Sequence, residues 1–213
     1  IINLAIKGQK IQVVLMANYL ITGGTGLRGS ALITQLLASS HQVTVLTRNR
    51  HQARKRLPEE VTCIVHLSEF DTHQVLDYVV NLAGEPIADK RWSKAQKHRL
   101  WQSRVVLTEQ LVSWLASLQH PPKALISGSA VGWYGDCGEQ LLTEQSAASA
   151  EYTHSLCRAW EAAANALSDT GVRVCIVRTG LVISPQGGFL GKLKWPFKLG
   201  LGARLGSGEQ YMS

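Results

Sequence analysis

Thr22-Gly23-Gly24-Thr25-Gly26-Leu27-Arg28-Gly29 is the stretch that decides the fold. Gly23, Gly26 and Gly29 recur at Gly-x-x-Gly-x-x-Gly spacing, with the apolar run Tyr19-Leu20-Ile21 before them and a helical pattern after. A strand, a glycine turn and a helix N-terminus in that order make a cradle for a diphosphate. The first glycine permits the tight turn. The second lets backbone approach the phosphates, and the third lets helix and strand pack closely. The spacing and its setting together predict a dinucleotide site.

Working outward, strand-like and helix-like segments alternate, which predicts an α/β fold with a doubly wound parallel sheet. Strands are expected at Asn18–Thr22, Gln42–Leu46, Thr62–Val65, Tyr78–Leu82, Ala124–Ser127 and Val172–Arg178. A helix from Leu27 to Ser39 presents Leu32, Ile33, Leu36 and Leu37 on one face. A basic helix is expected near Gln52–Leu57, stopped by Pro58. The link from Leu67 to Asp77 is short for a crossover helix. Leu100, Arg104, Leu107, Leu111, Trp114, Leu115 and Leu118 predict one long helix closed by Pro121-Pro122. Another helix is expected over Tyr152–Ser168. From Gly187 onward glycine becomes dense, and loops with short pieces are expected.

The loop resembles a P-loop only in spacing. A P-loop needs Lys and Ser/Thr after its last glycine, and this chain has Ser30-Ala31, so nucleotide hydrolysis is excluded. The end of the second strand then discriminates between dinucleotides. An NAD site offers an acid there for the ribose 2′-hydroxyl. Here the residues are Leu46-Thr47-Arg48-Asn49-Arg50, with no acid. Thr47 can donate to a 2′-phosphate and Arg48 can pair with it, so NADP(H) is expected.

Composition narrows the rest. The chain has 213 residues, 45% hydrophobic and 17% charged, as in an ordinary globular protein. No run approaches the ~18 apolar residues of a membrane span. Cys63, Cys137, Cys157 and Cys175 lie far apart, which predicts reduced thiols and a cytoplasmic protein. The seven histidines form no local ligand pair, and no metal is expected. The net charge of +7 is concentrated partly at Arg48, Arg50, Arg54, Lys55 and Arg56. Without a nucleic-acid module this reads as a solvated basic helix facing an anionic cofactor. Residues 1–15 are expected to be an extension of low structural weight, 16–183 a dinucleotide-binding domain, and 184–213 the start of a substrate region.

Four motifs carry a family resemblance: Thr22–Gly29; Asn81-Leu82-Ala83-Gly84-Glu85; Ser127-Gly128-Ser129-Ala130-Val131-Gly132-Trp133-Tyr134-Gly135; and Arg178-Thr179-Gly180. Their order resembles the extended short-chain dehydrogenases/reductases. Asn81–Trp92, Ser103-Arg104, Cys157-x-x-Trp160-Glu161 and the tail from Pro196 narrow it to the atypical NAD(P)-dependent epimerase-like subfamily of YfcH-type proteins. The resemblance implies a Rossmann domain, NADP(H), and a small C-terminal substrate domain of which this chain carries only the beginning. It implies a cofactor site of Gly23, Thr25, Gly26, Leu27, Arg28, Gly29, Thr47, Arg48, Leu82, Ala83, Gly84, Glu85 and Ser127. Thr179–Val182 would flank the nicotinamide.

Members of the superfamily pair a tyrosine and a lysine at Tyr-x-x-x-Lys, supported by a serine. The lysine lowers the tyrosine pKa so that it can exchange a proton with substrate. Ser129 fits the serine position. Aligned through Trp160-Glu161, the other two positions hold Thr153 and Cys157, and Tyr152 is one residue off, about 100° around the helix. Ser129 and Tyr134 are the expected catalytic residues. Cys157, Glu85, Arg91, Trp92, Lys94, Ser103 and Arg104 are further candidates around the pocket. Two functions follow: an epimerase-like oxidoreductase acting by hydride transfer on a small molecule such as a nucleotide-sugar, or an NADP(H)-binding sensor or assembly protein with little catalysis. A monomer or homodimer is expected.

Overall fold

The computed structural model describes residues 2–6, 9–13, 16–148, 150–184, 187–202 and 208. Two sheets are present among them. β1 (Ile2–Ile6) and β2 (Gln9–Val13) pair antiparallel as a separate hairpin that shares no strand with the main sheet. Residues 1–15 therefore contain regular structure that the sequence pattern does not announce.

The main sheet contains β3 (Asn18–Thr22), β4 (Gln42–Leu46), β5 (Thr62–Ile64), β6 (Tyr78–Asn81), β7 (Ala124–Ala130) and β8 (Arg173–Thr179). Their spatial order is β5-β4-β3-β6-β7-β8 and every pairing is parallel. The winding reverses between β3 and β6, which opens a crevice at their carboxyl ends where α/β sheets bind ligands. This is the doubly wound Rossmann arrangement expected from the sequence.

A strand alternates its side chains between two faces, and β3 shows the consequence. Leu20 packs with Val79, Leu111, Leu115, Leu125 and Ala164 on one side. Its neighbour Ile21 packs with Ile33, Leu36, Val45, Ala53 and Val80 on the other. The first core is covered by α4 (Leu107–Ala116) and α5 (Tyr152–Asn165), and the second by α1 (Leu27–Ala38) and α2 (Arg50–Arg54). Leu111 and Leu115 are fully buried. Each such side chain contributes about 1.5–3 kcal/mol of apolar transfer. A third cluster joins Leu100 and Val105 to Leu156, Trp160 and Ala163 of α5.

Several boundaries differ from the sequence expectation, each for a local reason. α2 begins at Arg50, two residues early, because the Asn49 side chain accepts from the Gln52 amide at 2.9 Å and caps it. The long helix starts earlier, at α3 (Lys94–Trp101), where the Ser93 hydroxyl accepts from the Gln96 amide. It is also interrupted: a π-turn at Gln102–Val106 separates α3 from α4. β7 runs three residues beyond Ser127 because its pairing with β8 continues through Ala130 and Thr179. The glycine-dense tail, expected as loops, contains the short β9 (Ile183–Ser184) and then α6 (Gly188–Lys198). Gly191 and Pro196 lie inside this helix, and both count against a helix in a reading by propensity. Among the described residues no helix is long and apolar enough to cross a membrane.

Candidate functional site

The glycine loop leaves β3 and turns into α1 at the crevice. Gly23 has φ +70°, a left-handed conformation that favours glycine. A Cβ there would lie 2.6 Å from the Leu82 carbonyl, so the loop sits directly on the chain leaving β6. A Cβ on Gly29 would lie 2.4 Å from the Gly23 oxygen, which shows how tightly the first turn of α1 closes on the loop. Gly26 is the N-cap. No side chain caps the helix and no acid occupies its first turn. The leading amides of α1 are therefore left for an anion, and the helix dipole favours one. A cradle too close-packed for side chains, with uncapped amides behind it, fits the diphosphate of a nicotinamide dinucleotide.

The predicted cofactor residues converge on this edge. Thr47 follows β4, held by its amide donating to the Ile64 carbonyl at 2.9 Å. Arg48 beside it is exposed and makes no ion pair with a carboxylate among the described residues. Arg50, by contrast, is spent on structure: it donates to the Cys63 carbonyl and pairs with Glu69. Arg28 reaches across the crevice and donates to the Thr179 hydroxyl at 2.6 Å, joining α1 to the end of β8. Leu82, Ala83 and Gly84 line the floor after β6. Glu85 receives the Arg104 guanidinium on its carbonyl at 2.9 Å, and its carboxylate lies 3.8 Å from Lys90 rather than against Arg91.

Ser127 lies behind the crevice rather than in it. Its side chain is fully buried and its hydroxyl accepts from Asn81 Nδ2 at 3.3 Å. Asn81 is the hub of this buried network. It accepts from the Thr22 hydroxyl at 2.6 Å and donates to Thr108 at 2.8 Å. Trp160 Nε1 also donates to Thr108, and the Ala83 amide donates to Thr22. A satisfied network of this kind fixes the carboxyl ends of β3, β6 and β7 relative to each other. Sequence reasoning missed Asn81 as an organiser, although a polar residue closing the apolar run Tyr78–Val80 was a readable signal.

The expected catalytic pair is placed differently from the expectation. Ser129 is 2% exposed and donates to Glu161 Oε1 at 2.6 Å. Arg178 grips the same carboxylate through two bonds of 2.9 Å, and donates to the Tyr134 hydroxyl at 3.0 Å. Its guanidinium stacks 4.0 Å from the Trp133 ring centroid. The Glu161 hydrogen bonds push the arginine pKa upward against the cost of burial. The hydroxyls of Ser129 and Tyr134 thus both belong to a buried ion-pair network. Cys157 adjoins it. Burial pushes its thiol up, against hydrogen bonds with Ser129 and the Ala130 carbonyl that pull the other way. Such a thiol is neutral at pH 7.

The remaining candidates divide in the same way. Tyr152 turns to α3 and donates to the Lys97 carbonyl at 3.2 Å, with Trp92 edge-on at 5.5 Å. Thr153 packs against Gly132. Ser103 accepts from the Glu85 amide at 2.9 Å. Arg104 is half-buried on the π-turn, and burial lowers its pKa. A groove of about 360 Å³ opens at the opposite, amino edge of the sheet, among Asn18, His41, Glu60 and Gln74; it is remote from all of these groups. No cluster of His, Cys, Asp or Glu among the described residues is arranged to hold a metal.

The strand order, the glycine cradle and the crevice define a Rossmann dinucleotide-binding protein of the short-chain dehydrogenase/reductase type. The chain belongs to the NAD dependent epimerase/dehydratase family, which residues 19–194 match. It is 42% identical over 195 residues to the epimerase family protein Mb2239 of Mycobacterium bovis, covering 91% of this chain and 63% of that one. Epimerase family protein MW0731 of Staphylococcus aureus is 35% identical over 199 residues, covering 93% of this chain and 66% of that one. The chain thus spans just under two thirds of the length of these relatives. A crystal structure of human epimerase family protein SDR39U1 with NADPH is similar at TM-score 0.79 and 31% identity, over 92% of this chain and 64% of that one. The nucleoside-diphosphate sugar epimerase of Corynebacterium glutamicum is similar at TM-score 0.76 and 32% identity, over 94% and 41%.

Proposed function

We propose that this chain binds NADP(H) and is the cofactor-binding part of an epimerase-like oxidoreductase that acts on a nucleotide-linked sugar. The observation that carries the reading is Thr47-Arg48, a half-buried threonine and an exposed arginine with no carboxylate partner among the described residues, at the strand end where an NAD site offers an acid. The NADPH in the human structure supports it, as does the name of the Corynebacterium protein.

When bound, the nicotinamide supplies or accepts a hydride at a carbinol or carbonyl carbon. The α1 amides and Arg28 hold the diphosphate charge, and Thr47 with Arg48 holds the 2′-phosphate. Leu82, Ala83 and Gly84, on the chain leaving β6, would line the ribose side. Glu161, clamped by Ser129 and Arg178, fixes α5 against β7 and β8 and so sets the width of the crevice.

A second reading, a binding protein with little catalysis, is favoured by one observation. The Tyr-x-x-x-Lys positions hold Thr153 and Cys157, and the hydroxyls of Ser129 and Tyr134 are engaged elsewhere.

Fluorescence titration with NADPH and NADH tests the cofactor assignment. The expected result is tighter binding of NADPH by about tenfold or more, the worth of one charge-assisted contact. Equal affinity, or no binding of either, overturns it. Reduction of NADP+ by UDP-hexoses, or oxidation of NADPH by their 4-keto forms, separates the enzyme from the binding protein.

A further inference from the structure

A π-turn weakens the hydrogen bonds of a helix and concentrates at functional sites. The one at Gln102–Val106 carries Arg104 to the floor of the crevice. There the guanidinium lies on Gly84, so closely that a Cβ on that glycine would stand 3.0 Å from the arginine Cζ. Nη2 donates to the Glu85 carbonyl at 2.9 Å and Nη1 to the Ser103 hydroxyl at 3.4 Å. The Trp160 ring supports the group from below, 5.4 Å away. Arginine has five donors, and the other three have no partner among the described residues.

The charge of this group is not matched locally. No carboxylate among the described residues forms an ion pair with it. The groups in electrostatic reach are Cys157 and Tyr152 of α5, the Glu85 carboxylate that leans to Lys90, and a second cation, Arg28. A half-buried cation facing another cation is costly to fold around unless an anion completes it. Cys157 is also the position at which the Tyr-x-x-x-Lys pattern sets its lysine. A fixed positive charge therefore stands next to that position, brought by α3 and α4 instead of by α5.

We propose that Arg104 is the anion-binding residue on the substrate side of the crevice, and that it takes a carboxylate or phosphate group of the substrate on its three remaining donors. The planar fork suits either anion by two parallel hydrogen bonds, which an ammonium cannot supply. This rests on the cofactor reading given above. The alternative source of the same chemistry is the cofactor's own diphosphate, and the test separates the two.

The probes are inorganic phosphate and malonate, titrated against the 213-residue chain with and without saturating NADPH, at ionic strength matched with sodium chloride. Thermal unfolding reads the anion and fluorescence reads NADPH. The wild type is expected to show a saturable rise in Tm with phosphate or malonate in the NADPH-loaded state. Arg104→Gln should lose that rise while its NADPH affinity stays within about threefold. Arg104→Lys, which keeps the charge and so the fold, should bind the anion about tenfold more weakly, the worth of a charge-assisted bond. A rise that persists unchanged in Arg104→Gln, or no rise in the wild type, overturns the proposal. So does a tenfold loss of NADPH affinity in Arg104→Gln, which gives the arginine to the cofactor. Failure of the wild type to bind NADPH sinks the cofactor reading alone, and the titration without NADPH then decides Arg104 by the same comparison of variants.

Discussion

Ser129 and Glu161 stand 32 residues apart in the chain and 2.6 Å apart in the fold. That contact ties β7 to α5, and Arg178 extends it to β8 through the same carboxylate. A carboxylate 7% exposed, shared between a hydroxyl and a bidentate guanidinium, is a structural centre.

Glu161→Gln should destabilise the chain by about 3–5 kcal/mol, the usual cost of leaving one member of a buried pair uncompensated. Urea unfolding measures it. Replacing both partners, Glu161→Leu with Arg178→Met, should cost less than the two single changes added together. Additive losses would show that the two side chains are not coupled.

Arg48→Ala should weaken NADPH by about 1.5–3 kcal/mol, or one to two decades, and leave NADH nearly unchanged. Titration of both dinucleotides against both proteins gives the comparison. Equal losses would remove Arg48 from the 2′-phosphate.

Gly29→Ala and Gly26→Ala should part company. A Cβ at Gly29 meets backbone at 2.4 Å and the helix must shift, so stability should fall by about 1–3 kcal/mol or more. At Gly26, φ is −80° and the nearest atom is 3.3 Å away, so the chain should fold within about 1 kcal/mol of wild type. On the cofactor reading proposed above the added methyl would crowd the diphosphate, and NADPH binding should still drop. Paired unfolding and binding curves read both effects.

Asp77 should govern the acid limb of stability. Burial disfavours its carboxylate, but the Lys123 ammonium at 2.7 Å and the Asn18 amide at 2.9 Å outweigh that and hold its pKa below the usual range. A depressed carboxylate pKa contributes stability that is present above the unfolded value, about 3.9, and lost as pH falls through the folded value. Asp77→Asn should lower Tm near neutrality and flatten its decline between about pH 4 and pH 2. A parallel decline in both proteins would acquit the residue.

The cradle was legible in sequence because its glycines answer to contacts the motif itself specifies. β3 was legible from its apolar run Tyr19-Leu20-Ile21, and β4 from Val43 and Val45 alternating with Gln42 and Thr44. Ser129, Glu161, Arg178 and Tyr134 were not, since their pairing crosses from β7 to α5 to β8 and leaves no local pattern. The π-turn hid inside the leucine spacing of Leu100 to Leu118, which reads as helical on either side of one additional residue. Arg104 was visible as a member of that stripe and as a pocket candidate, but its missing counter-charge emerges only in three dimensions. The helix after Gly187 was masked by glycine density.

The π-turn also constrains how this chain can change over evolution. It holds one more residue than an α-helical turn would. Upstream of it, Leu100 faces α5, and downstream Leu111 and Leu115 face the sheet. Deleting a single residue from Gln102–Val106 would restore an uninterrupted helix and leave its two halves in the same rotational phase, because the wide turn absorbs the additional residue. Leu100 and the Leu111–Leu115 pair would keep their cores, whereas Arg104 would leave its place on Gly84. The additional residue therefore sets the position of one arginine and leaves the packing of the rod on either side unchanged.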